Sequence, residues 1–204
     1  MRGWLHAAMT PVMLVAILAL MVRTGSQAGR AALAVYLVTA LMLFGNSAAY
    51  HCIRWSDRVS AVLRRFDHSN IALFIAGTYT PLAVLMLNGR SRVVLLTAVW
   101  ACALVEVLCR NLWMGAPRWL YTGLYILMGW AAVVWLPQFW HAGGPAVVLF
   151  ILVGGLFYTL GAVVYALKRP NPFPHWFGFH ELFHGGTVIG ALCNFAAIWI
   201  AAGH

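Results

Sequence analysis

An all-α fold of seven membrane-spanning helices is predicted from three features of the sequence. The composition is 63% hydrophobic and only 8% charged, where a soluble domain carries about 25% charged residues. Polar residues are confined to short intervals between apolar runs of about 17 to 25 residues, the length that crosses roughly 30 Å of hydrocarbon. Seven such runs fill the 204 residues and leave no room for a soluble domain, so 1–204 is expected to be a single seven-helix transmembrane domain. The net charge of +9 implies no nucleic-acid partner. Basic residues in such a protein mark cytoplasmic loops and meet anionic lipid headgroups.

The first run, 4–22, follows a lone basic residue, Arg2, and no small-x-small cleavage site follows it. It is therefore expected to be kept as a helix rather than removed as a signal peptide. Gly25-Ser26-Gln27 turns the chain into the second run, 29–52. The third, 67–88, holds Thr80-Pro81 near its middle, where a proline frees a carbonyl and is expected to kink the helix. Asn88-Gly89-Arg90 leads to 92–109, Gly115-Ala116-Pro117 to 119–137, Gly143-Gly144-Pro145 to 145–167, and Pro170-Asn171-Pro172 to 178–202. In the last run Gly186 and Gly190 form a G-x-x-x-G step, which lets a neighbouring helix come close. Trp4, Trp55, Trp119, Trp140 and Trp176 fall near run ends, as an aromatic belt requires. Cys52, Cys102, Cys109 and Cys193 are scattered without a C-x-x-C pair and read as reduced core residues.

Orientation follows from counting basic residues by parity. With the N-terminus inside, the inner set is Arg2, Arg54, Arg58, Arg64, Arg65, Arg110, Arg118, Lys168 and Arg169. The outer set is Arg23, Arg30, Arg90 and Arg92. Nine against four predicts a cytoplasmic N-terminus and an outside C-terminus.

Ionisable residues within spans are costly and tend to be functional. His180-Glu181-Leu182-Phe183-His184 opens the last run and places two histidines one helical turn apart, a metal-ligand spacing. Ser47 and His51 close the second run with the same spacing, and Asp67 opens the third. The end of an even span and the starts of odd spans lie on one side of the membrane, so these residues converge there. His51, His180 and His184 are accordingly candidate metal ligands. Three imidazoles and a water make an open zinc site of the catalytic type. Asp67 is the candidate base or further ligand, and Ser47 a group that holds the water or an oxyanion. His68 is a secondary candidate expected to face elsewhere. Glu106 is expected to pair with Arg110 one turn later, the alternative being that it lines the polar cavity. His6, His141, His175 and His204 read as interfacial.

Four blocks carry a resemblance that covers nearly the whole chain. They are Ser47-x-x-x-His51; Arg65-Phe66-Asp67-His68-Ser69; Ile75-Ala76-Gly77-Thr78-Tyr79-Thr80-Pro81; and Phe177-Gly178-Phe179-His180-Glu181-Leu182-Phe183-His184. In this order they resemble the hemolysin III family, as does Tyr165-Ala166-Leu167-Lys168-Arg169-Pro170. That family is the bacterial branch of the progestin and adipoQ receptor superfamily, which includes adiponectin receptors and is related to alkaline ceramidases. The resemblance implies a seven-helix bundle in the bacterial inner membrane with a zinc ion (Zn2+) near its cytoplasmic face. The family's ligand histidines map onto His51, His180 and His184, its aspartate onto Asp67 and its serine onto Ser47. Asn46 departs from the family, where many relatives have a small residue or a second serine.

The resemblance implies a zinc-dependent hydrolase acting on an amide or acyl bond of a lipid, with a role in membrane homeostasis. Membrane lipids are then the partners, with a fatty acid or acylated lipid held in the bundle. The competing expectation is a non-enzymatic sensor, channel or cytolysin-like protein in which zinc ties helices together. The literal H-E-x-x-H motif offers a third, an intramembrane metalloprotease with Glu181 as base. Adiponectin receptors carry glutamine at the position of Glu181, which speaks against it.

Overall fold

A backbone in lipid has no water to bond and must satisfy its own N–H and C=O groups, so each apolar run folds as a helix. The computed structural model describes residues 3–112, 117–173 and 176–203; Arg2, Gly115, Ala116, His175 and His204 lie outside them. The order is α1 Trp4–Arg23, α2 Gln27–Cys52, α3 Asp57–Met86, α4 Gly89–Leu112, α5 Arg118–Gly129, a 3-10 turn η1 Ala131–Trp135, α6 Leu136–Leu167 and α7 Phe179–Ala201. Among the described residues there is no strand, only an isolated bridge between Phe173 and Phe177.

Among the described residues six helical stretches are long and apolar enough to cross a membrane, the fifth being the 49 residues Trp119–Leu167. That stretch is not one rod. Gly144 leaves helical geometry at φ 77°, ψ −178°, a conformation essentially reserved for glycine. Pro145 follows it, so the expected turn at Gly143-Gly144-Pro145 survives as a break inside α6. The bundle's outer faces carry exposed Val15, Val22, Leu112, Leu127, Val134 and Leu149. So much contiguous apolar surface is unsuited to water and suited to lipid. The chain is an integral, multi-pass membrane protein.

Two helices start nine or ten residues earlier than their apolar runs. α3 begins at Asp57 rather than 67 because Arg58, Arg64 and Arg65 keep its first turns polar while its backbone is already helical. Asp67 therefore sits about three turns inside α3, not at its head. α6 begins at Leu136 for a related reason: hydropathy and a downstream Gly-Pro mark a break, not a helix end. Within α3 the helix continues through Pro81 to Met86. There Thr80 donates its hydroxyl to the Ala76 carbonyl at 2.9 Å and accepts the Trp100 indole N–H at 3.1 Å. The four cysteines are free, as expected, but none is core: Cys52 and Cys102 are exposed, Cys109 and Cys193 half-buried. Lipid accepts a small apolar thiol as readily as a core does.

α7 is set against α6 by glycines. A Cβ on Gly186 would lie 2.8 Å from the Phe157 carbonyl oxygen and 3.2 Å from Gly161 Cα. At Gly190 it would meet the Tyr158 ring at 2.6 Å. The G-x-x-x-G step is thus a backbone-to-backbone crossing at Gly186 and a ring-on-backbone contact at Gly190. Gly186→Val is expected to destabilise the protein by about 1–3 kcal/mol through overpacking, read as a lowered unfolding midpoint in detergent. An unchanged midpoint would mean the two backbones are not this close.

Candidate metal centre

The site is assembled from the C-terminal end of α2, the head of α7 and the part of α3 about three turns in from its start. Two hydrogen bonds hold α2 to α3 around it: Asn46 Nδ2 donates to the Leu63 carbonyl at 3.2 Å, and Asn70 Nδ2 to the Met42 carbonyl at 2.8 Å. They bring Ser47 and His51 opposite Asp67. The head of α7 is fixed by Glu181, whose Oε2 accepts the Gly178 N–H at 2.9 Å, and by Asn171 Oδ1, which accepts the Phe179 N–H at 3.2 Å. Glu181 fills the third position of a helix start, where a carboxylate satisfies an orphan donor and complements the helix dipole. His180 and His184 then project one turn apart from the same face.

His51, His180 and His184 each place one ligand nitrogen within 4.8 Å of the others. Their ring centroids are 4.7 Å apart for His180 and His184, 5.0 Å for His51 and His180, and 5.3 Å for His51 and His184. Asp67 Oδ2 lies 3.8 Å from His51 Nε2, too far for a hydrogen bond. His51 Nε2 and the Ser47 hydroxyl are both buried without a hydrogen-bond partner. Orphaned polar atoms are costly in a low-dielectric interior. Three convergent imidazoles beside a carboxylate form a donor set that a divalent cation satisfies, so these residues fit a metal ion.

All five residues line one cavity of about 570 Å³. Leu43, Ile71, Phe74, Ile75 and Ile126 give it apolar walls, interrupted by Tyr125, Tyr158, Thr159 and Thr187. The cavity thus sets the imidazoles and Asp67 beside several apolar side chains.

Comparison with known proteins bears on what this site belongs to. A family model described as "Haemolysin-III related" matches residues 1–195. The chain belongs to the haemolysin-III family. "Hemolysin-3" of Bacillus cereus is 30% identical over 172 residues, which is 83% of this chain and 76% of that protein. The "Hemolysin-3 homolog" of Bacillus subtilis is 29% identical over 161 residues, 78% of this chain and 73% of its own length. More distantly, the "Adiponectin receptor protein" of Drosophila melanogaster is 24% identical over 185 residues, 80% of this chain and 40% of the relative. This haemolysin-III protein is therefore related to adiponectin receptors.

Three side chains of this haemolysin-III chain lie elsewhere than the sequence suggested. His6 is not interfacial: it is 2% exposed, and its ring stacks on His184 with centroids 4.0 Å apart and planes 5° from parallel. Neither of its ring nitrogens has a hydrogen-bond partner. His68 lines the same cavity rather than facing away, and its carbonyl accepts the Tyr125 hydroxyl at 3.0 Å. Glu106 and Arg110 do not pair. Glu106 is 2% exposed with no hydrogen bond to either oxygen, while the Arg110 guanidinium lies 4.3 Å over the Tyr121 ring. Spacing of one turn permits an ion pair, but the aromatic face offered by α5 competes with it.

Proposed function

We propose that this protein is a zinc-dependent hydrolase that cleaves an amide or acyl bond of a membrane lipid. The observation that carries the reading is the single cavity in which three imidazoles, a carboxylate and apolar side chains meet. His51, His180 and His184 would hold the cation and leave a position open, the arrangement of catalytic rather than structural zinc. When bound, zinc supplies Lewis acidity toward a carbonyl and makes a water acidic near neutral pH. Asp67 takes the proton of the attacking water, the Ser47 hydroxyl orients that water, and the apolar walls seat the acyl chain. The reading extends to topology. Seven crossings, with Trp119–Leu167 making two of them across the Gly144 break, put the N-terminus in the cytoplasm and the C-terminus outside. The site then opens toward the inner leaflet of the bacterial inner membrane.

The test is elemental analysis of the purified full-length protein together with fatty-acid release from N-acyl and O-acyl lipids. About one zinc per chain and measurable release are expected; a protein that folds and binds no metal overturns the reading. The names of the relatives, a hemolysin and a receptor, support a second reading in which zinc only ties α2 to α7 and nothing is cleaved. His6 offers a further measure of the metal site. His6→Ala removes the ring stacked on His184 and is expected to weaken zinc binding about tenfold, as loss of a group supporting a ligand does. His6→Phe keeps the stack and most of the affinity. Competition with a chelator of known affinity measures both, and equal losses in the two variants would show that stacking is not what supports His184.

A further inference from the structure

The first turns of α3, Asp57–Phe66, precede its apolar run and carry two unlike faces. Val59, Val62 and Phe66 recur at i, i+3 and i+7, within about 60° of one another around the helix. They are 40%, 48% and 54% exposed, so the bundle leaves this strip open. Arg64 and Asp67 point about 100° or more away from it and line the cavity. Arg58 borders the strip, about 40° from Val62, and Arg54 precedes it in the loop from α2. Both are exposed, and among the described residues neither has a hydrogen bond or an ion pair. Between them in the chain, Trp55 donates its indole N–H to the Ala49 carbonyl at 2.9 Å, which holds the ring in place while it stays exposed. Over 53–66 four arginines, Arg54, Arg58, Arg64 and Arg65, stand against Asp57 alone. Topology accounts for that charge, but it asks for no apolar strip beside it. In water Ile53, Trp55, Val59, Val62 and Phe66 would form an exposed apolar patch. At the head of a span they meet the boundary between headgroups and acyl chains, and an apolar strip flanked by arginine is the make-up of a helix seated there on an anionic membrane.

We propose that the head of α3, with Arg54 and Arg58 flanking Trp55, Val59, Val62 and Phe66, is a docking surface for an anionic phospholipid. The strip takes the upper methylenes of the acyl chains, and the two guanidiniums take the headgroup's net negative charge. A zwitterionic headgroup offsets its phosphate with its own cation, so it gains less from the arginines. None of these six side chains lines the cavity. The surface is therefore separate from the metal centre, and neither reading needs the other.

The test is lipid binding to full-length protein in a neutral detergent, titrated with phosphatidylglycerol or phosphatidylcholine of the same acyl chains and read by native mass spectrometry. Phosphatidylglycerol is expected to bind at least about tenfold more tightly, within what two arginines contribute at an anionic surface. Arg54→Gln/Arg58→Gln is expected to lose that preference while binding phosphatidylcholine as wild type does. Arg54→Lys/Arg58→Lys keeps the charge and most of the preference, and an unchanged unfolding midpoint in both pairs shows that the fold is kept. Val59→Thr/Val62→Thr preserves side-chain shape, removes apolar contact and is expected to weaken both lipids by about threefold or more. Equal binding of the two lipids to wild type overturns the proposal. A preference that survives in the Gln pair overturns it too, by placing the anion on another basic patch. Unchanged affinities in the Thr pair would remove the apolar half of the surface and overturn it as well. Displacement of phosphatidylglycerol by equimolar glycerol phosphate overturns it in favour of a free anion.

Discussion

Asp67→Asn is expected to reduce lipid hydrolysis by about 10² to 10⁴-fold, the contribution of a positioned general base, while zinc content stays at the wild-type level. Asn has the size of Asp and keeps a hydrogen-bonding oxygen but cannot take a proton. Asp67 is not among the three convergent donors, and its Oδ2 stands 3.8 Å from His51 Nε2. Removing its charge therefore spares the ligand set. The matched control is Glu181→Gln. Glu181 Oε2 accepts the Gly178 N–H at the head of α7, and glutamine retains an acceptor for that bond, so turnover is expected to stay within about twofold. Fatty-acid release and metal content, measured on both variants, decide among the readings. Loss in Glu181→Gln with retention in Asp67→Asn would restore the protease that the literal motif suggests. Wild-type protein that holds zinc and releases nothing from any acyl lipid, with a cellular phenotype unmoved by Asp67→Asn, would favour the non-enzymatic reading.

What could be read from the chain itself depended on whether one helix or several determined the feature. Hydrocarbon thickness sets span length, so the runs at 4–22, 29–52 and 178–202 lie within a few residues of α1, α2 and α7. The start of α3 was hidden because hydropathy records where a helix enters lipid, and Asp57–Phe66 is helix before that point. His180 and His184 share a face by the geometry of a single helix, and span order alone sends His51 and Asp67 to the same side. His6 could not be read this way. It meets His184 only because α1 packs against α7, and no apolar periodicity says which helices are neighbours. Its one signal was a histidine within the first turn of an otherwise apolar helix, where burial of an imidazole is costly. Arg64 and Arg110 were legible as topology markers; that they line the cavity with the imidazoles follows from packing that α3 and α4 reach only in the folded bundle.

His184→Ala is expected to bring zinc content below about a tenth of wild type, because three protein donors are the minimum of an open zinc site and two do not hold the ion. His184 is the donor whose loss has the clearest consequence. It is 2% exposed, its ring lies 4.7 Å from that of His180 and 5.3 Å from that of His51, and His6 covers its face. The control is His68→Ala, which alters the same cavity wall outside the three-donor cluster and is expected to leave zinc content unchanged. Thermal unfolding supplies an independent readout. Zinc that binds only the folded protein adds about 2.7 kcal/mol at a hundredfold excess over its dissociation constant. Chelation should therefore lower the midpoint of wild type and of His68→Ala but not that of His184→Ala, which starts from the lowered value. Full zinc occupancy in His184→Ala, or a chelator shift equal to that of wild type, would place the metal elsewhere and remove the ground on which Asp67 and Ser47 were given their roles.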